Sequence, residues 1–233
     1  MAGGKKQTTK KQSDDSIQLA YHGIRHMLYT KELVPGQRIA YRDLAEKLRL
    51  SSTPIIQALK WLELQGFVQH EPNRGYSMAP FSLKELEELY EIREFIEPSL
   101  IPSIIEKIDK KGISDLKAAL DAHLSAERDF YLKERLFRNR DFHMTLASLS
   151  GKATQVRILE NVFDMLFLKY GGDYFPISSL SSTDQAHQEI YDAVALRSLE
   201  RARSVLKNHL TNVKIQVMSC IRKVLAEQER TEF

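Results

Sequence analysis

One cysteine, Cys220, is all the thiol chemistry in this chain of 233 residues. An intramolecular disulfide and a cysteine-based zinc site are both excluded, as suits a reducing compartment. Ten glycines and seven prolines are too few for the many turns of an all-β protein. No apolar run approaches the roughly 18 residues of a transmembrane helix, so we expect a cytoplasmic protein with no membrane partner. The opening stretch MAGGKKQTTKKQ has charges but no apolar segment behind them, and is not a secretory signal. Residues 1–15 read as a disordered basic arm, either solvated or touching phosphates. The net charge of +3 is too small to mark a nucleic-acid binder by itself, but it is unevenly placed. Residues 1–80 hold twelve Lys and Arg against seven Asp and Glu, and the remainder holds 22 against 24. Only the front of the chain is suited to a polyanion.

Texture changes near Pro80. Before it, short elements are punctuated by Pro35-Gly36, Ser51 to Pro54, Gly66 and Asn73-Arg74-Gly75. Ile17, Ala20, Ile24, Met27 and Leu28 recur at helical spacing. Arg38 to Ala40 is a short extended piece, and Tyr41 to Arg49 a second helix. Ser51 or Ser52 caps a third helix that runs to Gln65, with Pro54 in its first turn and Gly66 at its end. Phe67 to His70 and Gly75 to Met78 are two strands around a turn. This order predicts a winged helix-turn-helix over residues 16–80.

Residues 82–230 read as an all-α bundle, so the fold class is mainly α. Six helices are expected near 82–98, 100–110, 113–134, 136–150, 152–171 and 182–197, with a long last helix from about 199 to 228 as a seventh. Ser82 and Glu85 form a capping box for the first. The apolar stripe of Val156, Leu159, Val162, Phe163 and Leu166 is first of all a bundle core.

A helix that reads the major groove needs a small polar first turn and an apolar inner face. Ser51, Ser52 and Thr53 supply amides and hydroxyls suited to phosphate. Gln57 and Lys60 lie opposite Ile55, Ala58, Leu59 and Leu62. Arg74 and Gly75 sit at the hairpin tip, where a wing reaches a phosphate or the minor groove. The alternative is a solvated helix on a purely structural module.

These residues carry a resemblance. Leu33 to Ile39, Asp43 to Leu48, Ser51 to Leu59 and Leu62 to Val68 resemble the DNA-binding domain of GntR-type bacterial transcription regulators. Leu89 to Glu94 and Phe142-His143 resemble the helical effector domain (FCD domain) of that family's fatty-acid-regulator-like branch. The resemblance spans about residues 16–225. It implies a homodimer on a palindromic double-stranded operator, with repression as the commoner outcome. Three departures stand out: Ser52 and Ile56 replace two arginines that habitually read bases and phosphates, and Tyr41 replaces a glutamate. A bidentate Arg–guanine pair discriminates by roughly 1–3 kcal/mol. Their loss shifts reliance to Arg42, Thr53, Gln57, Lys60, Arg74 and the basic arm.

Of seven histidines, His22, His26, His70 and His123 read as packed or solvated. Asn139 and His143, four apart, share a helix face, while His187 and His209 fall on two later helices. By spacing alone the three are either core residues or ligands that leave open positions on a divalent ion. The resemblance implies the second reading, with Asn139, His143, His187 and His209 as the metal set. Asn139 stands where the family has Asp, which keeps an oxygen but removes a charge, so that a carboxylate or water completes the shell. Zn²⁺ or Ni²⁺ suits such a set. Arg93 corresponds to the arginine beside the family's effector cavity, where a guanidinium fork clamps a small carboxylic acid; otherwise it pairs with Glu97. The competing readings are a metal-dependent helical enzyme and a metal sensor without organic effector. Against catalysis, no suitably placed general base, P-loop or nucleophile elbow is present.

Overall fold

The computed structural model describes the backbone of residues 4–125, 132–170 and 180–231, and side chains from Asp14 to Ser125, Glu134 to Tyr170 and Thr183 to Glu227. Contacts divide the chain into two units, Met1–Phe81 and Ser82–Phe233.

In the first unit the order is α1 (Gly4–Tyr29), β1 (Arg38–Ile39), α2 (Tyr41–Leu48), α3 (Ser52–Leu64), β2 (Val68–Glu71) and β3 (Gly75–Met78). Ile24, Ile55, Leu59, Leu62, Phe67 and Met78 are fully buried and form its core. Gly23 lets α1 approach α2, because a Cβ there would lie 2.7 Å from Leu48 Cδ2. The sheet is antiparallel in the order β1-β3-β2, with Ile39 opposite Tyr76 and Val68 opposite Met78. Asn73 and Gly75 turn the hairpin with φ of 64° and 85°, a region that glycine enters without steric cost.

Two local expectations change. Helix α1 begins at Gly4, inside the segment read as a disordered arm. No proline interrupts 4–29, and Lys and Gln sit comfortably in a helix; residues 1–3 and the side chains to Ser13 lie outside the described residues. Ser51 has the extended backbone of an N-cap, yet its hydroxyl makes no capping bond.

The second unit comprises α4 (Leu83–Lys107), α5 (Lys110–Ser125), α6 (Leu132–Ser148), α7 (Ala153–Asp164), a π-helical turn (Met165–Lys169), α8 (Leu180–Ala195) and α9 (Leu199–Thr231). Leu100, Ile101, Ile104, Leu116, Leu120, Phe142, Leu159, Ile190, Leu206 and Leu210 belong to one core drawn from all six α-helices. The helices expected at 82–98 and 100–110 are one, running through Pro98 and Pro102. Each proline removes a backbone donor, but Leu100, Ile101 and Ile104 on the same stretch are fully buried, and that burial holds the helix together. The helix expected over 113–134 ends at Ser125, and 126–131 lie outside the described residues, as does 171 of the helix expected over 152–171.

Ser82 accepts the Glu85 amide at 3.2 Å, which is half of the capping box. The Glu85 carboxylate instead pairs with Lys169 and accepts from the Tyr170 hydroxyl. Burial, and after it that acidic neighbour, push the Tyr170 phenol above its ordinary range.

Candidate metal and effector centre

Helices α6, α8 and α9 bring His143, His187 and His209 together in the second unit, each no more than 5% exposed. Their Nε2 atoms form a triangle with sides of 3.2, 3.2 and 3.3 Å. Four ligands about 2.0–2.1 Å from a tetrahedral Zn²⁺ stand roughly 3.3–3.4 Å apart, so this triangle has the size of one face of such a shell. The rings of His143 and His209 stack, and His187 meets both edge-on. Among the described residues these three form the cluster of metal-ligating type, and no carboxylate or thiol joins it.

Electrostatics keep the triangle unprotonated. Burial lowers the affinity of His143, His187 and His209 for protons, with the Arg93 charge adding to it. For His187 and His209 the fall is far below 6.5. A neutral imidazole is the form that binds metal. The Glu97 carboxylate lies 2.7 Å from His143 Nδ1. A carboxylate there accepts the Nδ1 proton and leaves Nε2 as a bare lone pair facing the other two rings, the carboxylate–histidine arrangement that orients metal ligands. Three buried nitrogens cannot all satisfy one another through shared protons, and the Nδ1 of His187 has no partner either. The donor set therefore fits a divalent ion of the zinc or nickel type.

Glu97 links this cluster to Arg93. Arg93 Nε donates to Glu97 Oε1 at 2.7 Å, and both side chains are 3% exposed. Burial alone would raise the Glu97 carboxyl, but Arg93 and His143 outweigh it and bring it down to about 2. The ion pair considered as an alternative for Arg93 thus exists, buried rather than on the surface. It does not exhaust the guanidinium. Arg93 Nη2 is buried without a hydrogen-bond partner, and its carbon lies 4.3 Å from the centre of the Phe163 ring.

Arg93, Asn139 and His209 all line one cavity of about 60 Å³, whose other walls include Tyr90, Leu136, Phe163, Leu166 and Val213. That is several times the roughly 10–15 Å³ needed by one water. A fixed cation in an apolar, aromatic enclosure suits a small carboxylate with an apolar body.

Two neighbours of the cluster were not placed beside it by the sequence. His123 is 1% exposed, with its ring 4.5 Å from that of His187. Burial and the Arg135 charge bring it down to about 4, against the pull of Asp184. Arg135 pairs with Asp184. Glu97 as the orienter of His143 was equally unforeseen, since 46 residues separate the two.

In the first unit, Arg42, Ser51, Thr53, Lys60 and Arg74 are exposed, while Ser52, Gln57 and Gly75 are partly buried. Arg38, not singled out from sequence, donates from Nη2 to the Arg74 carbonyl at 3.2 Å and so ties β1 to the wing tip. Arg74 also pairs with Glu71 at 3.4 Å, on side chains 74% and 45% exposed. Surface pairs of this kind stabilise little, so the Arg74 charge stays available.

Comparison with known proteins agrees with both halves. Residues 17–77 match the bacterial regulatory proteins of the gntR family, and residues 88–212 match the FCD domain. The HTH-type transcriptional regulator YdhC of Bacillus subtilis is 25% identical over 197 residues, covering 82% of this chain and 86% of that protein. The Nta operon transcriptional regulator of Aminobacter aminovorans is 24% identical, covering 83% and 90%. Among solved structures, a GntR transcriptional regulator from Rhodococcus sp. RHA1 superposes with a TM-score of 0.75 at 22% identity, covering 88% and 98%. Escherichia coli McbR/YncC does so with 0.71 at 19%, covering 92% and 98%. With an FCD match over more than half its length behind a GntR match, the chain belongs to the GntR family of bacterial DNA-binding transcription regulators, in the branch that carries an FCD effector domain.

Proposed function

We propose that this regulator is a cytoplasmic homodimeric repressor whose affinity for a palindromic operator is set by a small carboxylic acid bound at a metal-bearing site in the helical unit. One observation carries the reading: three neutral imidazoles converge beside a buried guanidinium that still has a free donor, and His209, Asn139 and Arg93 share one cavity.

In this reading His143, His187 and His209 hold a divalent ion, with Asn139 offering an oxygen from the same face as His143. The ion, when bound, supplies an electrophile for a carboxylate oxygen. Arg93 binds the acid through Nη2, and Phe163 and Leu136 exclude water around its body. Glu97 fixes the His143 tautomer and anchors Arg93. The acid shifts DNA affinity only as far as it prefers one conformation of the dimer. On the operator side, Ser51, Ser52, Thr53 and Arg42 meet phosphates, Gln57 and Lys60 face the groove, and Arg74 with Gly75 forms the wing contact. For the dimer, Phe95 on α4 is 78% exposed beside a groove of about 840 Å³ lined from α4 and α9, and a second copy would cover it.

The test is native mass spectrometry of the purified protein on a duplex selected from a random-sequence pool. Two chains per duplex are expected, with the duplex released as acid binds to the metal-loaded protein. One chain per duplex, or no binding at low salt, overturns the reading.

A further inference from the structure

The small sheet of the first unit has two unlike faces. Strand alternation turns Ile39, Val68, Tyr76 and Met78 inward, each no more than 9% exposed. The opposite face is polar: Arg38, Ser77 and Gln69 stand side by side across the three strands, and Glu71 lies opposite Gly75 one step along. With Arg74 at the hairpin tip these residues line a cleft of about 430 Å³. Charge in it is unbalanced. Glu71 pairs with Arg74, whereas Arg38 is exposed and forms no ion pair among the described residues. Arg38 Nη2 donates to the Arg74 carbonyl at 3.2 Å, which leaves most of the guanidinium fork open. A side chain tethered in this way loses little further freedom when it binds. Ser77 Oγ, directly across from Arg38, is buried with no hydrogen-bond partner. Solvation alone accounts for a flat polar sheet face. It does not account for a concave one with a fixed cation and an unspent hydroxyl.

We infer that this cleft seats one phosphate of the DNA strand alongside the wing, with Arg38 as its principal ligand and Gln69 and Ser77 as secondary donors. The donor set decides the partner: guanidinium, amide and hydroxyl are the side-chain groups that meet backbone oxygens. A recessed site on a sheet face cannot enter a groove to reach a base edge. The contact therefore fixes the position of the domain on the duplex and carries no sequence information of its own. Arg38 serves twice, holding the wing tip through the Arg74 carbonyl and neutralising a phosphate with the rest of its fork. This rests on the operator-face reading above, extends it from α3 and the wing tip to β1, and is independent of the metal centre.

The experiment compares full-length wild type, Arg38→Gln, Arg38→Lys and Arg74→Ala on the selected duplex, by filter binding at several salt concentrations. Each lost phosphate contact lowers the slope of log affinity against log salt by about 0.9. Arg38→Gln should show that loss, weakening binding about eightfold near 0.1 M salt and hardly at all toward about 1 M. Arg38→Lys keeps the charge and should keep the slope. Combining Arg38→Gln with Arg74→Ala should lower the slope about twice as much as either change alone. Single uncharged methylphosphonates placed along the duplex then locate the contact: one position should weaken wild type and leave Arg38→Gln unaffected. If the combined variant binds as Arg74→Ala does, Arg38 only braces the wing and the inference falls. A normal slope for Arg38→Gln with a lowered one for Arg74→Ala overturns the inference while leaving the wing contact standing. Equal slopes for all the proteins remove the wing contact as well.

Discussion

Replacing Arg93 by methionine removes a buried cation while keeping a side chain of similar length, and its cost follows from Glu97. The Glu97 carboxyl falls from 4.5 to about 2 in the folded protein, which is equivalent to about 3 kcal/mol. Breaking a buried pair by removing one partner costs about 3–5 kcal/mol on independent grounds. A loss near 3 kcal/mol at pH 7 is expected, reduced somewhat because the orphaned Arg93 Nη2 disappears too. The pH dependence is diagnostic. A lowered carboxyl pKa stabilises the fold fully above pH 4.5 and loses that effect as pH falls toward 2. In the variant, burial dominates and the Glu97 carboxyl rises above 4.5, so its folded state takes up a proton more readily than the unfolded one. The gap between wild type and Arg93→Met should therefore narrow between pH 7 and pH 4. Urea unfolding followed by circular dichroism, with a chelator present, measures it. A loss below about 1 kcal/mol at pH 7, or a gap that widens on acidification, refutes the reasoning.

Other consequences concern the imidazoles and the operator face. His187→Ala with His209→Ala should abolish stoichiometric zinc in elemental analysis while leaving the helical circular-dichroism signal largely intact; retained zinc removes the ligand assignment. Folded His187 and His209 resist protonation, so the unfolded chain binds more protons below pH 6.5. Metal-free protein should then lose up to about 1.4 kcal/mol per imidazole for each pH unit below 6.5. A flat stability profile from pH 7 to 5.5 contradicts the burial of neutral rings. Lys60→Ala with Arg74→Ala should weaken duplex binding and lower the salt slope by about two, as read by filter binding at several salt concentrations. An unchanged slope rules out phosphate contact by this pair.

Much of the first unit was legible because its signals are local. Gly66 and Asn73-Arg74-Gly75 punctuate it, and the backbone there does enter positive φ at Gly66, Asn73 and Gly75. The spacing of Ile55, Ala58, Leu59 and Leu62 marked the buried face of α3 directly. What local signals mislead about is continuity. Pro98 and Pro102 look like a helix break, yet tertiary burial of Leu100, Ile101 and Ile104 overrides them. The half-made capping box at Ser82 has the same origin, since Lys169 and Tyr170, more than 80 residues away, claim Glu85. At the centre, the spacing of Asn139 and His143, four apart on α6, was readable as one helix face. Nothing in the sequence pairs Glu97 with His143 or sets His123 against His187, because those contacts exist only once separate helices pack.

The most direct test is the equilibrium affinity of the full-length protein for its selected duplex, measured by fluorescence anisotropy with zinc held constant and butyrate titrated, beside the His187→Ala, His209→Ala variant. The account predicts that wild type releases the duplex as acid is added and that the variant does not respond. Identical curves for the two proteins, whether both respond or neither does, would contradict control of the operator by the histidine centre.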